Sequence, residues 1–271
     1  MRLENVSLLC FEASYAVALA LELLQLLQPR PVLRWLALFF GGTGLLAHTL
    51  YLGLKSPPLA SQVGSMLFLA WILAIFYLYG SVHHRRQAWG VFVLPLVIGI
   101  AGMAWAFQAK TVEAPNSEWM HGSQFLNILH GILLLLASVG ICVGFVASVM
   151  YLVQAHRLKA KTPPGHGLKL LSLEKLEIMN RRAINWAFPL LTGGVIVATV
   201  QLMQRTGEPL VWTDLKSVTA GVLWLSFVVL LYLRYGVHLR GRQVAVLTIV
   251  TFVLMLIFLA VSHPVVQGGE P

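Results

Sequence analysis

The strongest constraint on this 271-residue chain is a series of apolar stretches, each close to the roughly 20 residues that cross a bilayer as one helix. Only 11% of the residues are charged, which is about half of the fraction expected in a soluble domain. We therefore predict an all-α, polytopic membrane bundle that forms a single transmembrane domain over residues 1–271. Its eight spans are predicted at about 8–28, 33–54, 60–80, 88–107, 124–154, 183–203, 217–236 and 243–263.

The distribution of Lys and Arg predicts which side of the membrane each loop faces. The segments that follow the first, third, fifth and seventh spans contain 14 of the 19 Lys and Arg residues. Because cytoplasmic loops concentrate these cations, we predict that these segments are cytoplasmic and that both termini are extracytoplasmic. The same rule accounts for the net charge of +9 within a lipid bilayer, so no nucleic-acid partner is expected.

The largest predicted cytoplasmic feature is the basic loop at 155–182. Within it, 172–182 has the pattern of a short amphipathic helix capped by Ser172. Its apolar side consists of Leu173, Leu176 and Met179. Two interpretations stay open: this helix lies on the anionic inner leaflet, or it docks a soluble partner.

Three histidines lie in predicted spans at a similar distance from the outer surface: His48, His130 and His263. Intramembrane polar side chains are costly and usually face a bundle interior or a cavity. Each could simply make a hydrogen bond between helices, but their shared depth favours a common ligand. No cluster of Cys or carboxylates suggests zinc. Haem needs only one or two axial imidazoles and an apolar envelope, so haem is the predicted cofactor.

The outer loop at 204–216 adds further candidate residues. Trp212 lies near the outer boundary, either as part of an interfacial aromatic belt or as a platform for a porphyrin edge. Asp214 and Lys216 follow it, and Lys216 is one of the few outer cations that could pair with haem propionates.

Three segments together resemble a known family. The first two are "SLEKLEIMNRRAINWAFPLLTGGVIVAT" (172–199) and "WTDLKSVTAGVLWLSFVVLLYLRYGVHLRGRQVAVLTIVTFVLMLI" (212–257), and the third is "LLAHTLYLGL" (45–54). They resemble the cytochrome c assembly membrane proteins related to CcsA, with the closer likeness to the small HemX-like and YpjD-like members. The second half of the chain carries most of the likeness.

The resemblance implies roles for the candidate residues. His130 and His263 resemble the family's two outward axial histidines, and His48 resembles a histidine within the membrane. Trp212, Asp214 and Lys216 take the place of the family's W-x-W-D-P-K-E signature. The Pro and the following Glu of that signature are absent, as is its second tryptophan. We therefore expect haem binding, haem export or an accessory role rather than complete haem attachment.

We expect a haem-handling protein of cytochrome c biogenesis, multi-pass in a bacterial inner (plasma) membrane, and not a stand-alone enzyme. Its partners would be haem and other cytochrome c maturation membrane proteins. The alternative is a cofactor-free scaffold or regulator that recruits a soluble tetrapyrrole-pathway enzyme through 155–182. A solute transporter is least favoured, because the two halves lack matching broken helices. No nucleotide-binding or hydrolase motif is present.

Overall fold

The computed structural model describes residues 8–57, 59, 61–83, 87–108, 124–161, 170–203, 215–239 and 241–261. These residues form helices and their connections, with no β-strand among them. The eight helices are α1 (Leu8–Leu27), α2 (Pro31–Lys55), α3 (Gln62–His83), α4 (Gly90–Gln108), α5 (Gln124–Lys159), α6 (Leu173–Met203), α7 (Leu215–Tyr235) and α8 (Gly241–Ala260).

All eight helices are long and apolar enough to cross a membrane, which confirms the predicted all-α, multi-pass architecture. Eight crossings are an even number, so the start of α1 and the end of α8 lie on the same side of the membrane. Which side that is remains the prediction drawn from the Lys and Arg distribution.

The helices pack as two groups of four. In the first helix group, α1 to α4, neighbouring helices pack in a closed ring, with α1 against α4. In the second helix group, α5 to α8, the ring closes through α5 against α8. The two groups meet mainly where α3 and α4 face α5, and α3 also touches α8. The fold therefore consists of two four-helix groups whose buried apolar side chains join in one hydrophobic core.

The basic segment differs from the predicted loop. Residues up to Lys159 continue α5, which at 36 residues is about 54 Å long and exceeds the hydrocarbon thickness. The predicted short helix at 172–182 is the beginning of α6, not a separate element. Ser172 does cap this helix, since its hydroxyl accepts a hydrogen bond from the Lys175 backbone N–H at 3.4 Å.

The continuity of α6 follows from its packing. Leu176, Asn180 and Ile184 recur every four residues and are all buried, so one face of the helix stays in the protein core from the cap into the span. No Pro or Gly interrupts the chain between Leu173 and Phe188. A helix that keeps its buried face has no reason to end at the membrane surface.

A polar cluster joins all four helices of the second group near the end of α7. The Asn180 Nδ2 donates to the Gly144 carbonyl at 3.2 Å, to the Ser148 hydroxyl at 2.9 Å and to the Thr248 hydroxyl at 3.1 Å. The Arg234 guanidinium donates to the Asn180 Oδ1 at 2.8 Å. Asn180 therefore links α5, α7 and α8 through one buried side chain on α6.

One side chain ties the two groups together at the opposite face. The Gln62 Nε2, at the start of α3, donates to the carbonyls of Leu259 at 2.8 Å and Ala260 at 3.1 Å. These are among the last carbonyls of α8, which have no partner within their own helix. The amide of Gln62 therefore caps α8 from the neighbouring group.

Candidate functional site

One face of α2 is built to accept side chains from its neighbours. Gly41, Gly44 and His48 follow each other at intervals of three and four residues and are all buried. A Cβ at Gly41 would lie 2.6 Å from the Tyr77 ring, and one at Gly44 would lie 2.9 Å from the Tyr15 ring. The two glycines therefore let aromatic rings from α3 and α1 pack directly on the α2 backbone.

His48 lies one turn beyond Gly44 and is completely buried. Its ring stacks on Phe11 with the ring centroids 4.1 Å apart and the planes within 3° of parallel. Its Nδ1 faces the Tyr15 hydroxyl at 3.4 Å, a long hydrogen bond. Phe11 and Tyr15 thus hold the imidazole in one orientation from α1.

The second ring nitrogen of His48 is the unusual feature. Within the described chain, the buried Nε2 has no hydrogen-bond partner. The backbone of Leu67 in α3 also interacts with the imidazole. Buried polar atoms are almost always satisfied, so an orphaned one calls for an explanation. An oriented imidazole whose other nitrogen has no protein partner has the chemistry of a metal ligand.

His130 lies in the second helix group, six residues after the start of α5. Its Nδ1 lies 2.9 Å from the Gly194 carbonyl of α6, and a ring nitrogen facing a carbonyl must carry the proton. The lone pair is then on Nε2, as in many histidines that bind metals. One turn nearer the helix start, the Gln201 Nε2 donates to the Asn127 Oδ1 at 2.7 Å and fixes the same pair of helices.

The side chains of the other four predicted site residues are not among those that the structure describes. His263, Trp212 and Asp214 lie outside the described residues, and Lys216 is placed in the first turn of α7 without a described side chain. His48 and His130 are buried or partly buried in different helix groups, and no described contact joins them. The two imidazoles are therefore separate positions, each near the predicted outer end of its own group.

The sequence interpretation missed Phe11 and Tyr15. Their spacing of four residues in α1 is the signal that could have found them, because it puts both rings on one helix face. The described residues contain no group of three or more His, Cys, Asp or Glu that could hold a metal ion.

The glycine face of α2 allows a direct test of how His48 is held. We expect Gly44→Ala to lower the free energy of unfolding by about 1–3 kcal/mol, because the new methyl group displaces the buried Tyr15 ring. The control is Gly42→Ala, whose Cβ would meet nothing within 4 Å. This neighbour should be neutral or stabilising by up to about 1 kcal/mol. Thermal unfolding of the purified proteins in detergent measures both, and equal effects would contradict the close packing of α1 on Gly44.

The chain is similar to proteins of a known family. A model of the family described as "Cytochrome C assembly protein" matches residues 59–267, which is most of the sequence. The chain belongs to the cytochrome c assembly family. His130 and His263 lie inside the matched segment, while His48 precedes it.

Similar proteins from several organisms carry the name "Cytochrome c biogenesis protein CcsA". The one from Thermosynechococcus vestitus is 26% identical over 237 residues, and the alignment covers 72% of each chain. Those from Guillardia theta and Trieres chinensis are 25% and 24% identical; they cover 73% and 76% of this chain, and 70% and 74% of their own lengths. No solved structure matches the chain significantly.

Proposed function

We propose that this protein holds haem near the outer membrane face during cytochrome c biogenesis, as an assembly factor rather than a stand-alone enzyme. Membership of the cytochrome c assembly family supports the process, and the names of the CcsA relatives agree with it. The eight apolar helices support a multi-pass membrane protein, and we assign it to a bacterial inner membrane. Other membrane proteins of the same pathway are its expected partners.

The observation that carries the haem proposal is the His48 imidazole. It is fully buried in an apolar helix group, stacked on Phe11, and its Nε2 has no partner among the described residues. An axial haem ligand needs a fixed ring, an available nitrogen and exclusion of water. These residues fit the ligand chemistry of haem.

His130 has the first of these properties, a fixed ring. Its hydrogen bond to the Gly194 carbonyl selects one tautomer and fixes the ring plane. Histidines that bind metals are oriented by hydrogen bonds of this kind on their other ring nitrogen. We assign His130 and His263 to an outer haem position and His48 to a deeper one. Trp212, Asp214 and Lys216 would contact the porphyrin edge and its propionates. When bound, haem supplies the iron chemistry, and the chain supplies ligands, orientation and a dry envelope.

An absorption spectrum of the protein purified in mild detergent from haem-replete cells tests this proposal. We expect a Soret band in the wild type and a loss of at least about tenfold in haem per protein in His130→Ala/His263→Ala. Even the loss of a partner behind a metal ligand costs about 10–100-fold in affinity. His48→Ala should lower haem content as well.

The matched control is His83→Ala. His83 is an exposed histidine in the last turn of α3, at the other end of the first helix group from His48. Its substitution should leave the Soret band unchanged. A colourless wild-type protein would overturn haem handling, as would a Soret band that survives in both His130→Ala/His263→Ala and His48→Ala. Either result would leave the cofactor-free scaffold as the better hypothesis.

A further inference from the structure

A groove of about 350 Å³ lies between α5 and α6 on the surface of the second helix group. Val143 of α5 lines one wall. The α6 wall is one face of the helix, with residues at i, i+3, i+4, i+7, i+8 and i+11: Lys175, Ile178, Met179, Arg182, Ala183 and Trp186. The groove thus has an apolar floor with one cation at its end and another midway along it.

The close approach of α5 and α6 explains why a groove exists here. A Cβ at Gly140 would lie 2.9 Å from the Ala187 Cβ, and one at Gly144 would lie 3.1 Å from the Ile184 side chain. The helices therefore nearly touch along their buried faces. Beside this contact the α5 wall offers only Val143, and the larger side chains of α6 stand along the opposite rim.

The charge and apolar character of the groove point to an amphipathic anion. Lys175 and Arg182 are exposed, and within the described chain neither side chain makes a hydrogen bond or an ion pair. Trp186 is 74% exposed, one turn further into the span. From Lys175 to Trp186 the helix rises about 16 Å, which is enough to run from a headgroup region into the hydrocarbon.

We propose that this groove binds one anionic phospholipid, with the phosphate between Lys175 and Arg182 and an acyl chain along Val143, Ile178 and Trp186. Basic pockets between membrane helices take such headgroups on the cytoplasmic side, and tryptophan favours the level of the headgroup boundary. The site lies in the second helix group, apart from His48, and does not depend on haem binding.

The test is lipid binding by the full-length protein in mild detergent, measured by native mass spectrometry and by thermal unfolding. Phosphatidylglycerol should bind and raise the unfolding midpoint of the wild type, and phosphatidylcholine should do neither. Lys175→Gln/Arg182→Gln should bind phosphatidylglycerol about 30-fold more weakly. Each cation near an anionic headgroup contributes about 1 kcal/mol of binding free energy, and the loss of two such contributions converts to about 30-fold in the dissociation constant. Arg182→Lys, which keeps the charge, should retain most of the binding.

The matched control is Lys159→Gln/Arg181→Gln. It removes the same charge from two exposed residues, one at the end of α5 and one on α6, that do not line the groove, and its phosphatidylglycerol binding should equal that of the wild type. Unchanged binding in Lys175→Gln/Arg182→Gln would overturn the proposal, as would an equal loss in the control. Equal stabilisation by millimolar inorganic phosphate would also overturn it, because the site would then bind a free anion.

Discussion

We expect Asn180→Ala to lower the free energy of unfolding by about 3 kcal/mol, because it removes the closer of two described acceptors of a buried guanidinium and leaves only the Glu177 carbonyl at 3.5 Å. Arg234 is only 9% exposed, and its guanidinium donates to the Asn180 Oδ1. The same substitution removes the amide that donates to the Gly144 carbonyl and to two hydroxyls. Unfolding of the purified protein in detergent, followed by heat or denaturant, measures the loss.

A double-mutant cycle separates this cluster from a general packing effect. Arg234→Met removes the charge, so Asn180→Ala should cost about 1–3 kcal/mol less in that background than in the wild type. Asn185→Ala is the control on the same helix, because Asn185 is exposed and, among the described residues, its one hydrogen bond is accepted from the Tyr235 hydroxyl. Its cost should stay below about 1 kcal/mol. Additive effects of Asn180→Ala and Arg234→Met would contradict a coupled cluster.

The second large effect is expected at the α3–α4 turn. A Cβ at Gly80 would lie 1.9 Å from the Trp89 Nε1, with two further indole atoms within 2.4 Å. Trp89 is 2% exposed and packs edge-on against Phe76 with centroids 5.1 Å apart. Its indole also donates to the Phe76 carbonyl at 3.4 Å. Gly80→Ala must therefore expel the indole from the core of the first helix group.

We expect Gly80→Ala to cost about 3 kcal/mol or more, at the upper end of overpacking effects, because a whole ring has to move. Gly99→Ala in α4 is the control, since its Cβ would meet nothing within 4 Å. It should be neutral or slightly stabilising. Yield and unfolding midpoint of the two proteins in detergent give the comparison, and a well-folded Gly80→Ala protein would show that Trp89 is not fixed where we describe it.

The number of helices could be predicted from the sequence because the length of an apolar run is a local property. The ends of α5 and α6 could not. Hydropathy falls after about residue 154 and rises again near 183, which suggests a loop. Both helices extend into this region, and the buried face of α6 formed by Leu176, Asn180 and Ile184 depends on a neighbouring helix that hydropathy does not reveal.

The candidate site divides in the same way. The position of His48 inside an apolar run predicted that it would lie within the helix bundle, and it is completely buried. Its contacts with Phe11 and Tyr15 depend on which helix packs beside α2. Gly41 and Gly42 make the same point, because they are adjacent and chemically identical. Only packing distinguishes the one that receives the Tyr77 ring from the one that meets nothing within 4 Å.

The hydrogen bonds from Gln62 to Leu259 and Ala260 join the start of α3 to the end of α8 and thereby connect the two helix groups. Because Gln62 caps the end of α8, a displacement of the start of α3 would either break these two hydrogen bonds or move the last turn of α8 with it. The last turn of α8 thus depends for its capping on a side chain that belongs to the other helix group.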